Sequence, residues 1–305
     1  MTSTTPSTSV DQQRAEAPAA VDRDQRNRRA QRRQLRSRLT VHGVLGVYTL
    51  LALGPIVLIV MNSLKSRGAI FDSPFTVPTA ETLTFDGYLS VFQRADFVTY
   101  FGNSIAVTLI SVFLTVVFGA MAAFALTEYK IRIAPILLAY LAIGIMIPIR
   151  LGTVSLLQMM SQLGLVNTRT ALVLVYVAMG LPLAVVLLSQ YFRQASVEIR
   201  EAARVDGASE YRVFGIVLPL VRPGLAAVAV ASMLPIWNDL WFPLILAPSD
   251  RTATVTLAVQ QFIGQFGSDW NAVLATLSLG AVPLIVLFMI FSRQFISGLA
   301  EGVGK

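Results

Sequence analysis

The sequence predicts an all-α protein that crosses a membrane six times. Hydrophobic residues make up 55% of its 305 residues and charged residues only 13%, whereas average soluble domains carry about 25% charged residues. Uncharged apolar runs of about 20 residues recur along the chain, and this is the length that a helix needs to cross a bilayer. The chain has no cysteine, which excludes disulfides, zinc–thiolate sites and cysteine nucleophiles.

A basic stretch precedes the predicted spans. Residues 1–38 contain nine arginines and few apolar side chains, so we expect a disordered cytoplasmic tail that lies near anionic lipid, with no nucleic acid as its partner. The remaining residues, 39–305, form the predicted membrane domain. Its spans are expected at 39–61, 100–126, 133–149, 171–191, 223–248 and 270–291. The third is short for a full crossing, so we expect it to tilt or to continue irregularly.

The distribution of lysine and arginine predicts the orientation. With the N-terminus in the cytoplasm, eighteen of the 24 Lys and Arg residues fall on the cytoplasmic side, or nine of fifteen when the tail is left out. Cytoplasmic loops carry such an excess. Both termini and the segment 193–222 are therefore predicted to be cytoplasmic.

A polar segment, EAARVDGASEYRVFGIVLP at 201–219, separates the fourth and fifth predicted spans. Ser196 is a good residue to begin a helix there, and Gly207 is a good residue to end it. A second short helix is expected at about 210–217. One interpretation is an amphipathic helix that lies passively on the membrane surface. The other is a compact surface whose small side chains let a partner approach closely.

The fifth predicted span contains an unusual polar stretch, LPIWNDLWFP at 234–243. It places Trp237, Asn238, Asp239 and Trp241 in or at the edge of the membrane. An ionised Asp at the bilayer centre costs about 2.5–3.5 kcal/mol on insertion scales, so it usually faces protein or a water-filled path. The residues suit a sugar, since Asn and Asp bind hydroxyls and an aromatic face stacks on a sugar ring. A structural polar cluster and an interfacial aromatic belt remain alternatives.

Enzyme chemistry is disfavoured. The phosphate-binding pattern GxxxxGK[ST] does not occur, so we do not expect this chain to bind ATP or any other cofactor itself. The single histidine, His42, stands at the start of the first apolar run, far from any candidate Ser–His–Asp partner. No catalytic residue and no metal ligand set is predicted.

The 201–219 segment resembles the EAA signature of bacterial ABC-transporter permeases. The resemblance is carried by Glu201, Ala202, Ala203 and Gly207, followed by Ile216, Leu218 and Pro219. In that family this loop is the cytoplasmic coupling helix, which docks into a cleft of a separate ATPase subunit. The resemblance therefore implies ATPase-coupling roles for Glu201, Ala202, Ala203, Asp206, Gly207 and Ser209.

Further short motifs occur in the family's order. These are an Asn-Ser pair at the start of the second span (Asn103, Ser104), GLVNT at 164–168, and WND followed by Pro243. Together they are similar to the carbohydrate importers of the maltose and glycerol-phosphate type, over about residues 40–305. The resemblance implies the type I importer permease fold in a bacterial inner membrane, and it assigns Asn103, Trp237, Asn238, Asp239 and Trp241 to the translocation path. Gln260 and Gln261 are the implied contacts with a binding protein.

The implied partners are a second permease, two ATPase subunits that hold ATP and magnesium, an extracytoplasmic solute-binding protein and a sugar-like solute. An ABC permease for another solute, such as a polyol phosphate or a peptide, is one alternative. An ATP-independent secondary carrier is another, although the sequence shows no convincing pair of broken helices. A membrane-anchored scaffold is a further alternative, but such a protein would not need polar residues in its fifth span.

Overall fold

Helices form nearly all of the regular structure. The computed structural model describes residues 38–94, 96–129, 131–263 and 268–303, and within those ranges no strand occurs beyond two isolated bridges. The predicted tail, 1–38, thus lies outside the described residues except for Arg38. The chain divides into two units, Met1–Leu58 and Ile59–Lys305. The described part of the first unit belongs to helix α1 (Arg38–Ser63).

Thirteen helices are described, and they range from short connecting helices to long apolar ones. Their bounds are α1 (Arg38–Ser63), α2 (Arg67–Asp72), α3 (Asp86–Arg94), α4 (Phe97–Glu128), α5 (Ala134–Met146), α6 (Thr153–Gln162), α7 (Arg169–Gln194), α8 (Val197–Val205), α9 (Glu210–Val217), α10 (Arg222–Trp237), α11 (Trp241–Leu246), α12 (Val255–Gln261) and α13 (Trp270–Val303). Short 3-10 turns at Ile149–Gly152 and Leu218–Val221 precede α6 and α10.

Four helices of the described chain are long and apolar enough to cross a membrane. They are Arg38–Ser63, Phe97–Glu128, Arg169–Gln194 and the continuous stretch Glu210–Trp237. A fifth crossing results if α5 and the following Ile149–Gln162, which bend by 83° between them, count as one span. The apolar part of α13, Trp270–Val286, is shorter. The predicted helical membrane fold is confirmed, while the count of six spans and the positions of the termini stay predictions.

Two of the predicted spans are broken. The predicted span at 223–248 is interrupted, because α10 ends at Trp237 and α11 begins at Trp241. The stretch at 133–149 ends in a similar break, because α5 stops at Met146 and a 3-10 turn follows. Pro148 and Pro235, which remove backbone donors, lie next to these breaks.

Helices α4 and α7 approach each other closely through small residues. A Cβ atom added at Gly119 of α4 would lie 2.6 Å from the Cβ of Ala184 on α7. In the same way, a Cβ at Gly180 of α7 would lie 2.7 Å from Cγ2 of Thr115 on α4. Contacts at small residues are how helices associate in lipid, where no hydrophobic force drives them together. Helices α4 and α7 are therefore closely packed at these small residues.

Replacing Gly119 by alanine is expected to loosen this pair and to lower the stability of the protein by about 1–3 kcal/mol, the usual cost of overpacking. Gly102→Ala is the matched control, because it lies on the same helix and a Cβ there meets nothing within 4 Å. Thermal unfolding in detergent should show a lower midpoint for Gly119→Ala only. Equal midpoints for the two variants would contradict the close approach.

Candidate functional site

The 193–222 segment folds into two short helices joined by a turn. Ser196 caps α8, its hydroxyl accepting from the backbone N–H of Ile199 at 3.4 Å. Gly207 ends α8 with φ of +78°, a backbone conformation that glycine adopts without steric cost. The N–H of Gly207 then donates to Arg204 and that of Ala208 to Ala203, at 3.0 and 2.9 Å. The cap, the turn and the second helix are thus confirmed.

Apolar side chains fix α9 onto the C-terminal ends of α4 and α7. Val213 and Val217 are fully buried. The ring of Phe214 lies 5.2 Å from that of Phe124 on α4 and 6.4 Å from that of Phe192 on α7. Aromatic pairs at these separations add about 0.5–1.5 kcal/mol each beyond the area that they bury. The segment is therefore packed against the spans and does not lie free on a surface.

Ion pairs hold α8 against the C-terminal end of α4. Both carboxylate oxygens of Glu128, the last residue of α4, are paired: Arg200 contacts Oε2, and Nη2 of Arg204 lies 2.7 Å from Oε1. Arg204 also donates to both oxygens of Glu210 on α9, at 2.9 and 3.0 Å. These hydrogen bonds raise the pKa of the Arg204 guanidinium. The side chains of Glu128 and Arg200 are each only 8% exposed.

The outer face of the segment remains exposed. Val205 and Tyr211 are 86% and 85% exposed, although they are large apolar side chains. Of the six residues to which the resemblance assigns ATPase coupling, Ala203 is buried against the spans. The other five lie exposed and are Glu201, Ala202, Asp206, Gly207 and Ser209. An apolar patch that is exposed to solvent is typical of a surface that binds a partner.

A cavity of about 700 Å³ lies where the two broken spans meet. Its polar residues come from five places in the chain: Arg150 from the 3-10 turn, Tyr176 from α7, Ser232 from α10, Asn238 and Asp239 from the break after α10, and Trp241 from α11. Apolar side chains such as Leu183 and Leu240 line the rest. Pockets of about 300–1,000 Å³ with mainly apolar walls and few polar groups are typical of small-molecule sites.

Asp239 is the centre of the hydrogen bonds in this cavity. Its Oδ2 accepts from the hydroxyl of Tyr176 at 2.9 Å and from the N–H of Phe242 at 3.1 Å. Its Oδ1 accepts from the N–H of Trp241 at 3.2 Å, and Nη2 of Arg150 lies 3.9 Å from the same atom. The side chain of Asp239 is only 10% exposed. The carboxylate therefore accepts hydrogen bonds from the first two N–H groups of α11 and joins this helix to α7.

Trp241 and Arg150 form an open face of the cavity. The guanidinium of Arg150 lies 5.8 Å from the centre of the Trp241 ring, and its side chain is 69% exposed. The indole N–H of Trp241 donates to Thr153 at 3.0 Å, which holds the ring across the break between α5 and α6. An aromatic ring beside a planar cation and a carboxylate presents both a stacking surface and hydrogen-bonding groups.

Two residues predicted for the translocation path lie elsewhere. Asn103 is buried and donates to the backbone carbonyls of Arg251 and Ala253 at 3.0 and 2.9 Å. Trp237 is also buried, and its indole N–H donates to the carbonyl of Gly280 at 3.0 Å. Both side chains thus join segments that are distant in the sequence. The structure brings only Asn238, Asp239 and Trp241 of this predicted set together around the cavity.

The two glutamines predicted to contact a binding protein lie at the end of α12. Gln260 is exposed, and the side chain of Gln261 lies outside the described residues. Sequence reasoning missed Arg150, Tyr176 and Glu128. Arg150 carried a signal, since it is a charged residue in a long apolar stretch and stands between Pro148 and Gly152. Tyr176 and Glu128 lie in ordinary positions of their helices and carried none.

The chain is similar to known transport proteins over most of its length. The model of the family "Binding-protein-dependent transport system inner membrane component" matches residues 95–300. A diacetylchitobiose uptake system permease protein of Streptomyces coelicolor is 30% identical, with 86% of this chain and 87% of that protein covered. An arabinooligosaccharides transport system permease protein of Halalkalibacterium halodurans is 32% identical, with 83% and 91% covered.

A solved structure shares the fold. The crystal structure of a bacterial ABC transporter involved in the import of the acidic polysaccharide alginate contains a chain that superimposes with a TM-score of 0.73 at 23% identity. The superposition covers 84% of the present chain and 95% of that one. The family model matches well over half of the chain, and relatives at 30% identity or more extend the match toward the N-terminus. The protein therefore belongs to the family of binding-protein-dependent transport system inner membrane components.

Proposed function

We propose that this chain is the permease subunit of an ATP-driven, binding-protein-dependent importer in a bacterial inner membrane. It forms half of the translocation path and receives movement from a separate ATPase through the 193–222 segment, called the coupling segment from here on. The observation that carries this proposal is the exposed face of α8 and α9, presented by two helices that ion pairs and aromatic contacts hold against α4 and α7. A passive surface helix would need no such fixation.

The proposed solute is a sugar or an oligosaccharide. The relatives named above are permeases for diacetylchitobiose and for arabinooligosaccharides. The cavity supports the same class of solute, because Trp241 offers a ring face for stacking. This residue is 41% exposed. Asn238, Asp239 and Arg150 offer planar groups that hydrogen-bond hydroxyls. These residues form the proposed contact with the solute, and Gln260 and Gln261 the proposed contact with a binding protein.

The proposed partners are a second permease, two ATPase subunits that bind ATP and magnesium, and an extracytoplasmic solute-binding protein. The coupling segment follows the C-terminal end of α7, whereas residues between Tyr176 and Leu183 of that helix line the cavity. Tyr176 and Gln194, the last residue of α7, are separated by eighteen positions, or about 27 Å of helix. Movement of the coupling segment can therefore reach the cavity through α7 and α10, which both connect the two.

Co-purification tests this proposal. The tagged chain, expressed with the products of neighbouring genes, is expected to carry a second permease and an ATPase through detergent purification. Vesicles that contain this complex should take up sugar only with ATP and the binding protein. Ion-driven uptake by the purified chain alone would contradict the proposal and favour a secondary carrier, a class in which broken helices also occur.

A further inference from the structure

Glu128 occupies a special position between a span and the coupling segment. It is the last residue of the 32-residue helix α4, and its side chain is 8% exposed. Its two oxygens bind Arg200 and Arg204, which stand four positions apart and therefore on the same face of α8. One carboxylate at the end of a span thus holds two successive turns of the coupling segment.

The contacts continue from α8 to α9. Arg204 binds Glu128 through Nη2 and Glu210 through Nε and Nη2. The hydroxyl of Tyr129, the residue after α4, donates to Oε2 of Glu210 at 3.2 Å. The end of α4 is therefore bonded to both helices of the coupling segment, through a cluster of two arginines and two glutamates that has no net charge.

This cluster is separate from the face proposed to bind the ATPase. Arg200 and Arg204 point toward Glu128, whereas Glu201 and Val205, the next residue in each case, are exposed. Successive residues of a helix differ in direction by about 100°. Helix α8 therefore presents one side to the span and another to a partner, and the two sides use different residues.

The ion pairs of Glu128 define the orientation of the coupling segment, which apolar packing alone does not. The rings of Phe124, Phe192 and Phe214 hold the coupling segment against the spans, but apolar contacts have little orientation preference. Ion pairs with hydrogen bonds are directional, and fixing register is the best-attested role of buried polar groups. Glu128 therefore fixes where along α4, and at what angle, the coupling segment sits.

We propose that Glu128 is the positioning residue through which movement of the coupling segment is passed to the spans. The inference rests on the proposed function. Glu128 is carried by α4, which packs on α7 through Gly119 and Gly180, and Gly180 lines the cavity. When α8 and α9 shift, α4 and α7 then move with them as one rigid body. The shift therefore reaches the cavity.

The test is Glu128→Gln in the complete transporter, reconstituted in liposomes with its binding protein. The amide keeps the size of the side chain but leaves the buried guanidinium of Arg200 without its counter-charge. We expect normal subunit stoichiometry, ATP hydrolysis within about twofold of the parent, and at least about tenfold less sugar taken up per ATP, because loss of one partner of a buried pair is costly. Glu81→Gln, at an exposed position, is the matched control and should leave this ratio unchanged.

A double variant shows whether the effect passes through the ion pair. Glu128→Gln combined with Arg200→Gln should lower uptake per ATP no further than Glu128→Gln alone, because residues that act through one contact are not additive. Additive losses would overturn the inference. So would loss of the ATPase subunit from the Glu128→Gln complex, since Glu128 would then only support the docking face.

Comparison with Glu201→Lys separates this inference from the proposed function. Normal uptake per ATP in Glu128→Gln, together with loss of coupling in Glu201→Lys, would overturn the role of Glu128 alone. Normal behaviour of both variants would overturn the inference and the proposed coupling together. Loss of coupling in both, with the ATPase retained in Glu128→Gln, supports the inference.

Discussion

A proline in place of Gly207 is expected to uncouple ATP hydrolysis from uptake while the chain still inserts into the membrane. Gly207 has φ of +78° and donates its N–H to the carbonyl of Arg204. Proline holds φ near −65° and has no N–H. The turn between α8 and α9 would have to rebuild, which costs about 3 kcal/mol or more, and the exposed faces of the two helices would lose their relative orientation.

Gly207→Ala provides a graded control. A Cβ at this position meets nothing within 4 Å, so the only penalty is the left-handed backbone, about 1–2 kcal/mol. Uptake per ATP should fall by about fivefold to thirtyfold in the alanine variant and by at least about a hundredfold in the proline variant, in keeping with costs of about 1–2 and about 3 kcal/mol. Tightly coupled transport with proline would contradict a docking role for this turn.

Glu201→Lys tests the same face without changing the backbone. Glu201 is exposed on α8, so reversal of its charge should act on the contact with a partner and leave the fold intact. We expect the same loss of coupling as in Gly207→Pro, measured as sugar taken up per ATP. Insertion is checked with Val205→Cys, which gives a unique label site because the chain has no cysteine. Labelling from the outer side would contradict the cytoplasmic position.

The coupling segment was predictable because its signals are local. A helix cap at Ser196 and a left-handed turn at Gly207 depend on residues within one or two helical turns. The second short helix at 210–217 was also predicted from the residues themselves, and the resemblance added the docking role. The partner of α8 was not predictable, because Glu128 is 72 positions from Arg200 along the chain. A glutamate at the end of a span reads as an ordinary boundary residue in the sequence.

Only the side of the cavity that lies at the break between α10 and α11 was predictable from the sequence. The polar stretch at 234–243 marked Asn238, Asp239 and Trp241, because polar residues are costly within an apolar run. Asn103 and Trp237 carried the same signal, and the structure uses them to join distant segments. Composition reveals that a polar side chain needs a partner, but it does not distinguish a solute from a backbone carbonyl. Arg150 lies at the cavity because the chain bends by 83° between α5 and the following Ile149–Gln162. A hydropathy pattern does not predict such a bend.

Asp239→Ala is expected to reduce transport strongly and assembly little. The change removes the acceptor of the Tyr176 hydroxyl and of the N–H groups of Trp241 and Phe242. Each buried donor left without a partner costs about 1–3 kcal/mol, so the break between α10 and α11 should lose its shape. Uptake should fall by at least about a hundredfold, while the ATPase and the second permease still co-purify.

Two milder variants show whether Asp239 acts on the solute or only on the helix break. Tyr176→Phe removes one hydrogen bond and leaves the carboxylate in place, so a purely structural role predicts a loss similar to that of Asp239→Asn, which keeps an acceptor oxygen. Contact with the solute predicts a rise in the substrate concentration at half-maximal uptake for Asp239→Asn alone, because the amide no longer offers a charged acceptor to a hydroxyl. Normal uptake kinetics in Asp239→Ala would exclude both roles, since neither the cavity nor the solute would then depend on this carboxylate.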